Sequence, residues 1–331
     1  MMRRLLLLLA PVLLRAAGLQ IYAIDVEGGK STLYVAPSGQ SMLVDTGYED
    51  NGGRDAKRIV AAARAAGIRQ LDYLVITHYH HDHVGGVPQL AALIPIRNFV
   101  DHGKNFESVK DVGEVYGAYL KTRAKGNHIE VKAGDRIPIE GLRVDVVTAS
   151  GVAIAKPLTE GGQPNPACAT YKPIEPDQGE NSHSIGMVIQ LGSFRVVDLG
   201  DLYWNQEHDL ACPQNKLGTV DVYMTTHHGK KTSGSPQMVW ALRPKVAVMN
   251  NGPATGGSEQ AWQTIHDSPG LLDLWQLHYA SKNDAKHNAD HQMIANVKAD
   301  GCAGDWIRVL AQADGSFTVR NGRTGFEKSY R

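Results

Sequence analysis

The segment Thr77-His78-Tyr79-His80-His81-Asp82-His83 follows an apolar run and is followed by a turn containing two glycines. His78 and His80 are two positions apart, so they project from the same side of an extended chain. Asp82 and His83 come where the glycines allow the chain to turn. Imidazole nitrogens and carboxylate oxygens are ligands that divalent zinc accepts. The pattern predicts two ligand pairs for two metal ions, and it argues against a histidine-rich surface loop.

Two metal ions roughly 3.5–4 Å apart would share a bridging water and lower its pKa. The His/Asp ligand set predicts zinc, with manganese or iron as alternatives. Tyr79 and His81 alternate with the expected ligands, and we interpret them as packing groups or as groups that orient the ligands.

A site for two metals needs further ligands from distant parts of the chain. Asp201 follows Gly200 after the predicted strand 194–198, so its carboxylate can enter the cleft and bridge the metals. Asp198 is the competing candidate, although strand alternation disfavours it.

Three histidines are further candidates. His227 and His228 follow the predicted strand 220–225, and one of them is expected to close the second site, with His227 preferred. His183 comes just before a predicted hairpin. It either completes the first site as a ligand or donates a hydrogen bond beside it, and the sequence leaves both readings open.

Asp45 ends an early predicted strand and precedes Thr46-Gly47. A carboxylate at this position can accept hydrogen bonds from the histidine segment and fix the orientation of its imidazoles. The alternative interpretation is an ordinary aspartate in a glycine turn.

Residues 1–18 have the outline of a secretory signal peptide, with a basic start, an apolar run at Leu5–Leu14 and small residues at Ala16-Ala17-Gly18. The apolar run is too short to span a bilayer, which needs about 20 residues. We therefore expect export to the periplasm or the cell exterior, with no transmembrane segment left after cleavage.

Charge and cysteine content narrow the class of protein. The full chain has 34 basic and 34 acidic residues. Residues 1–18 contain three arginines and no acid, so the remainder has 31 basic against 34 acidic residues, or −3. This balance gives no strong nucleic-acid signature.

Cys168, Cys212 and Cys302 could form one disulfide after export, and the sequence does not choose the pair.

Residues 19–331 are predicted to form a single α/β domain. Strand patterns come in two batches, each accompanied by helices such as 54–66, 109–125 and 258–266. This order suggests two sheets packed face to face with helices outside. Residues 151–180 are rich in Gly, Pro and polar residues, and we expect them to form a loop-rich insertion near the site.

A set of residues spread along the chain resembles the metallo-β-lactamase superfamily. The set comprises Asp45, the motif His78–His83, Gly200-Asp201 and the histidines at 227 and 228. The resemblance implies a four-layer αββα sandwich with two metals at one edge of the paired sheets. It also implies that His78 and His80 bind one metal and that Asp82 and His83 bind the other. Asp201 is then the bridging ligand.

Finer features are similar to the hydrolase domain of the ComEC/Rec2 competence proteins. These features are Asn181 and Ser184 before a strand, Leu199-Gly200-Asp201-Leu202, and His227-His228-Gly229 followed by Thr232-Ser233 and Ser235-Pro236. The chain departs from that subgroup at His183, where a histidine is often absent, and at Lys230, where serine is usual. It also shows no multi-span membrane channel. These departures weaken a role in DNA uptake.

We expect an exported hydrolase in which a metal-bridged hydroxide attacks phosphorus or a carbonyl carbon. The subgroup resemblance, together with Lys230 and Lys231 beside the site, favours a phosphodiester-type substrate. Export and the all-His/Asp ligand set favour the alternative, a β-lactam or lactone ring. A remote alternative is a metal-binding protein without hydrolytic activity. Asp82 is expected to orient the nucleophile, and His183, Lys230 or Tyr79 to stabilise the developing oxyanion.

Overall fold

The computed structural model of the chain describes residues 18–49, 51–299 and 301–331. Apart from Gly18, the predicted signal peptide lies outside the described residues. The strands of the described part, in chain order, are β1 (Leu19–Ala23), β2 (Thr32–Val35), β3 (Ser41–Val44), β4 (Leu71–Val75), β5 (Ile96–Asp101), β6 (Asn127–Glu130), β7 (Arg143–Ala149), β8 (Val152–Ala153), β9 (Gln163–Pro164), β10 (Gly186–Leu191), β11 (Phe194–Asp198), β12 (Gln214–Asn215), β13 (Val222–Met224), β14 (Val246–Met249), β15 (Asp273–His278), β16 (Ile294–Asn296), β17 (Ile307–Ala311), β18 (Phe317–Asn321) and β19 (Glu327–Tyr330).

Helices connect most of the parallel strands. In the same described ranges they are α1 (Arg54–Ala65), α2 (His81–Val84), α3 (Val87–Ala91), α4 (Lys110–Arg123), α5 (Trp204–Ala211), α6 (Pro236–Leu242) and α7 (Glu259–His266). Helix α1 shows how the sequence sets an element's limits. Ile59 and Ala63 lie on its buried face. Gly67, with a φ of 77°, ends it by letting the Ile68 N–H reach the Ala63 carbonyl.

Two large sheets form the centre of the domain. Within the described residues the first sheet has the strand order β19-β18-β17-β1-β2-β3-β4-β5-β6, and the second has the order β16-β15-β14-β13-β11-β10-β7-β8. Strands β3 to β6 pair in parallel, as do β11 and β13 to β16. Because parallel neighbours need a crossover connection, helices cover the outer faces of both sheets.

The apolar core has three layers that follow from this stacking. The inner faces of the two sheets meet in one cluster, which includes Met42 and Val75 from the first sheet and Val196 and Val248 from the second. A second cluster lies between the first sheet and helices α1, α3 and α4, and a third lies between the second sheet and helices α5, α6 and α7. The predicted αββα sandwich is therefore confirmed.

Several local features differ from the expectations drawn from the sequence. Residues 136–139 form no strand and make one isolated bridge, from Arg136 to Asp145, among the described residues. Helix α5 and strands β16 and β19 were not predicted. The hairpin β17–β18 joins the first sheet beside β1, at the opposite end of the sequence.

Residues 151–180 consist mainly of loops, with the short strands β8 and β9 and a 3-10 turn at Pro166–Thr170. A disulfide between Cys168 and Cys212 fastens this segment to the end of α5, and Cys302 is a free thiol. Of the helices that the structure describes, none combines the length and the apolarity needed to cross a bilayer.

Candidate metal centre

The histidine segment leaves the end of β4 and enters helix α2, and Asp45 at the end of β3 fixes its course. Asp45 Oδ1 accepts the Thr77 N–H at 2.8 Å, and Oδ2 accepts the Thr77 hydroxyl at 2.7 Å. The same Oδ2 lies 2.8 Å from His83 Nδ1. This contact places the proton on Nδ1 and leaves the Nε2 lone pair of His83 for another partner. The predicted role of Asp45 in orienting an imidazole is confirmed.

Asp82, His83, Asp201 and His228 bring one potential ligand atom each within 4.8 Å of one another. His83 Nε2 lies 3.2 Å from Asp201 Oδ2 and 3.2 Å from His228 Nε2. His228 Nε2 lies 3.4 Å from Asp82 Oδ2 and 3.3 Å from Asp201 Oδ2. Two imidazole nitrogens and two carboxylates that converge in this way form a donor set suited to a divalent cation.

His227 and His228 take different positions although they are adjacent. Both have positive φ angles, 53° and 55°, so strand alternation does not decide which ring faces the cluster. His228 belongs to the group of four donors, with Asn250 Nδ2 3.3 Å from its Nδ1. His227 Nε2 lies 3.4 Å from Asp201 Oδ2, and its ring stacks on Tyr203. The geometry thus favours His228 as the ligand, the reverse of the preference drawn from the sequence.

His78 and His80, the other predicted ligand pair, lie outside the group of four donors. His78 Nε2 and His80 Nδ1 face each other at 3.0 Å. The remaining nitrogen of each ring has its own partner: Thr77 Oγ1 lies 3.1 Å from His78 Nδ1, and Glu107 Oε1 lies 3.1 Å from His80 Nε2. The facing nitrogens are therefore those left for a shared cation. Glu107 was not predicted from the sequence, because it lies in an irregular segment far from the motif.

Asp201 is presented by the turn after β11. Its N–H donates to Ser184 Oγ at 3.1 Å. Gly200 has a φ of 57°, and a Cβ there would come within 2.8 Å of the Ser184 side chain, so only glycine fits. Asp198, the alternative candidate, instead forms a buried ion pair with Lys30.

The residues present fit a metal. Asp201 is only 1 % exposed, and its Oδ1 has no hydrogen-bond partner among the described residues. The buried Oδ1 of Asn181 likewise has no hydrogen-bond partner among the described residues, and Asn181 and Asp201 line one cavity. A buried carboxylate oxygen without a partner is costly, and a bound cation would satisfy it.

Ionisation of the cluster reflects its surplus of carboxylates. Burial lowers the pKa values of His83 and His228, but the neighbouring carboxylates, above all Asp201, outweigh it and raise both, so these imidazoles hold protons that a bound cation would displace. Burial raises the pKa of Asp201, but the charges of His83 and His228 outweigh it and hold that pKa well below its ordinary value. Burial and the neighbouring imidazoles His83 and His80 hold the pKa of His78 well below its ordinary value. An ionised carboxylate and a neutral imidazole are the forms that bind metal.

His183 takes no part in this cluster. Its Nδ1 lies 2.9 Å from the Gly179 carbonyl, and its ring stacks on Phe106 with centroids 3.8 Å apart. One face of the ring and its Nδ1 therefore have partners outside the cluster. His183 ends a 3-10 turn just before β10, and this turn directs its side chain to the loop that carries Phe106. The structure supports neither the ligand role nor the catalytic role expected for His183.

A cavity of about 760 Å³ opens beside the cluster. Its lining includes His80, Asp82 and Asp201 at one end and Lys230, Lys231 and Lys282 elsewhere. The structure therefore brings Lys230, expected from the sequence to act near the reacting group, into the same cavity as the proposed ligands.

Asp25, His278 and Cys302 form another group of donors within 4.8 Å. Arg58 Nη1 lies 2.9 Å from Asp25 Oδ2, so a guanidinium already neutralises this carboxylate. Burial and the nearby Asp25 raise the pKa of the Cys302 thiol to about 11. Because the thiolate is the metal-binding form, this group is a structural network and a poor metal site.

Comparisons with known proteins agree with this geometry. Residues 24–166 match the family model described as the metallo-beta-lactamase superfamily. The chain is 26% identical over 234 residues to recombination protein 2 of Haemophilus influenzae, covering 70% of this chain and 24% of that protein. It is 25% identical over 254 residues to ComE operon protein 3 of Bacillus subtilis, covering 70% and 28%. The chain thus spans about a quarter of the length of these curated relatives.

A shorter match, 45% identical over 60 residues, links 18% of this chain to 22% of the hydroxyacylglutathione hydrolase of Alkalilimnicola ehrlichii. Among solved structures, the metallo-beta-lactamase fold protein YhfI of Bacillus subtilis aligns with a TM-score of 0.49 at 12% identity, covering 78% of this chain and 96% of that one. The match of residues 24–166 to the metallo-β-lactamase superfamily model, the sandwich of two sheets and the candidate metal cluster all agree with a domain of that superfamily.

Proposed function

We propose that this chain is a hydrolase that works with two divalent cations, most simply zinc. One cation takes His78, His80 and Asp201, and the other takes Asp82, His83, Asp201 and His228. The observation that carries the proposal is the convergence of Asp82, His83, Asp201 and His228 within 4.8 Å at the floor of an open cavity. A purely structural cluster would be closed off from any cavity, whereas Asp82 and Asp201 line this one.

When bound, such a cation pair supplies a water of lowered pKa and Lewis-acid activation of the substrate oxygen. The chain's own residues orient the metal-binding histidines and place charged groups around the substrate. Asp45 contacts His83 and Glu107 contacts His80, each at the ring nitrogen that does not face the proposed cation. Such carboxylate partners orient metal-binding histidines and raise their basicity. Asp82 would orient the nucleophile, and Lys230 would bring a positive charge to the cavity where the oxyanion develops.

The proposed substrate is a phosphodiester. The cavity beside the ligands carries three lysines, and a phosphodiester keeps a negative charge that attracts them. The similarity to recombination protein 2 and ComE operon protein 3 over 70% of the chain supports the same subgroup and says nothing by itself about the reaction.

A carboxylic ester, thioester, lactone or β-lactam is the second candidate. The observation that favours it is the 60-residue match to hydroxyacylglutathione hydrolase at 45% identity. A tetrahedral intermediate at a carbonyl carbon would need the same nucleophile and the same positive charge as attack on phosphorus.

A substrate panel separates the two candidates. Purified, zinc-loaded protein is assayed with bis(p-nitrophenyl) phosphate, a chromogenic cephalosporin, an acyl-homoserine lactone and a glutathione thioester. We expect turnover of the phosphodiester, abolished in Asp82→Asn. Turnover of a carbonyl substrate alone would replace the phosphodiester assignment by the second candidate. Metal counting on His80→Ala tests the centre itself, because undiminished metal content and activity would refute it.

We also propose that the chain is exported. The signal-like residues 1–18 and the disulfide between Cys168 and Cys212 support this proposal, since disulfides persist in oxidising compartments. Expression of the full chain with cell fractionation tests it. Recovery of the uncleaved protein with free thiols in the cytoplasm would refute export.

A further inference from the structure

We propose that Lys231 and Lys282 form a second anion-binding subsite in the cavity, which holds a phosphate group of the substrate other than the one that is cleaved. The inference rests on the proposed phosphodiesterase function and narrows it to substrates with at least two anionic groups. Lys230 lies in the same cavity and is left to the scissile group.

The charge of the cavity supports this subsite. Asp82 and Asp201 face the metal site, and among the other lining residues Glu259 is the single acid, against the three lysines. In the part of the chain that the structure describes, no carboxylate lies within 4.0 Å of any of the three ammonium groups. A concave surface with a positive excess raises the local concentration of an anionic substrate.

The backbone of both lysine-bearing segments is held in place, although the side chains are unpaired. Next to Lys231, the Trp204 N–H donates to the Thr232 carbonyl at 3.0 Å. Next to Lys282, Ser281 Oγ donates to the Pro253 carbonyl at 2.6 Å, and Asn283 Nδ2 donates to the Gly257 carbonyl at 2.6 Å. Lys231 and Lys282 thus extend from fixed backbone segments and line one cavity, as the residues of a binding surface do.

The shape of the cavity leaves room for a second group. Its volume of about 760 Å³ is in the range of pockets that enclose a whole drug-sized ligand. At Tyr203, Lys231, Thr232 and Gln260 it adjoins another cavity of about 530 Å³, which is walled by residues 174–178 of the loop-rich insertion. Lys231 therefore lies where the two cavities meet. Because the second cavity carries the acids Glu175 and Asp177, we assign the anion subsite to the side of the first cavity, which Lys282 also lines.

Two substrates that differ in one phosphate test the subsite. Thymidine 5′-(p-nitrophenyl phosphate) carries one phosphodiester, and its 3′-phosphorylated analogue carries the same diester and a second anionic group. Steady-state kcat/KM is measured for both with the zinc-loaded wild-type protein and with Lys282→Gln, Lys231→Gln and the double variant. Lys286→Gln is the matched control, because Lys286 is an exposed lysine of the same loop that does not line the cavity.

We expect wild type and Lys286→Gln to prefer the 3′-phosphorylated substrate, mainly through a lower KM. The preference should fall about fivefold in each single variant and further in the double variant, and it should weaken with added salt. Equal kcat/KM for both substrates in wild type, or a preference that survives in the double variant, would overturn the subsite.

The proposed function can fail independently of the subsite. Calorimetric titration with thymidine 3′,5′-bisphosphate and with thymidine 5′-phosphate measures binding without turnover. If neither nitrophenyl substrate is hydrolysed but the bisphosphate still binds more tightly, and less so in the double variant, the phosphodiesterase assignment fails and the subsite stands. If hydrolysis occurs but the two nucleotides bind equally, the subsite fails and the function stands.

Discussion

The ammonium group of Lys30 and the carboxylate of Asp198 form an ion pair that is fully buried between the two sheets. The pair connects two of the turns that carry the donors of the candidate metal centre. The Lys30 N–H donates to the Asp82 carbonyl at 2.9 Å, and the Gly200 N–H, next to Asp201, donates to Asp198 Oδ1 at 3.3 Å. Lys30 thus connects the turn that carries Asp82 with the turn that carries Asp201.

Replacing Lys30 by methionine should leave the Asp198 charge buried without its partner. Removal of one member of a buried pair typically costs about 3–5 kcal/mol, whereas replacing both by apolar groups is often nearly neutral. We therefore expect Lys30→Met to lower the free energy of unfolding by that amount, and Lys30→Met/Asp198→Leu to recover most of it. Urea unfolding in the presence of chelator measures both. If the double variant is no more stable than Lys30→Met, the two side chains do not act as a pair.

The choice between His227 and His228 gives a direct test of the metal assignment. His228→Ala should lower the zinc content after desalting, because His228 Nε2 faces both Asp82 and Asp201. His227→Ala should retain its zinc. Among the described residues, Asp201 is the one carboxylate of that cluster that His227 Nε2 approaches within 4.0 Å, and the ring is otherwise held by Tyr203 and Ser233. Elemental analysis of the two variants decides, and the reverse order of zinc loss would contradict the assignment.

Features governed by strand periodicity could be predicted from the sequence. The motif 78–83 follows β4 of the first sheet and Asp201 follows β11 of the second, so periodicity predicts that each lies at a strand end. The stacking of the two sheets then brings these ends together. The two sheets and most helices also followed from period 2 and period 3.6 patterns. At His227 and His228 this logic does not apply, because both residues adopt the left-handed conformation.

Features that depend on long-range packing could not be predicted. Glu107 reaches His80 from an irregular segment, and Lys30 meets Asp198 across 168 positions of the chain. The pairing of β17 with β1 likewise joins opposite ends of the sequence. None of these contacts leaves a local pattern, because the partners are chosen by the stacking of the two sheets.

Asp45 should control metal affinity through His83. In Asp45→Asn, the amide cannot reproduce the charged contact with His83 Nδ1, so Nε2 becomes a weaker and less well-oriented ligand. Loss of such an outer partner typically lowers metal affinity about 10- to 100-fold. Competition with a chromophoric chelator measures the zinc affinity. Asp101→Asn is the control, since Asp101 is equally buried but bonds Tyr119 and Arg123. Equal zinc affinity of the two variants would refute the role of Asp45.

Glu207 should make the stability of the fold depend on pH. Its carboxylate oxygens accept the N–H groups of Gly234 and Ser235 at 2.8 and 2.7 Å, and burial raises its pKa from 4.5 to about 7. Between these two pH values the folded chain keeps a proton that the unfolded chain has released. Stability therefore falls as pH rises from about 4.5 to about 7, by an amount on the order of 3 kcal/mol, and this contribution is constant above that window.

The variant Glu207→Gln isolates this effect, because glutamine does not titrate. At low pH the variant should be less stable than wild type by about 1 kcal/mol, since its amide group cannot accept both backbone hydrogen bonds. As pH rises from 5 to 8, wild type should lose its Glu207 contribution while the variant does not, so the difference should shrink and can reverse. Urea unfolding of both proteins in chelator at several pH values measures it. Parallel stability curves would show that Glu207 titrates in the folded protein as it does in the unfolded chain, and that its two hydrogen bonds offset the effect of burial.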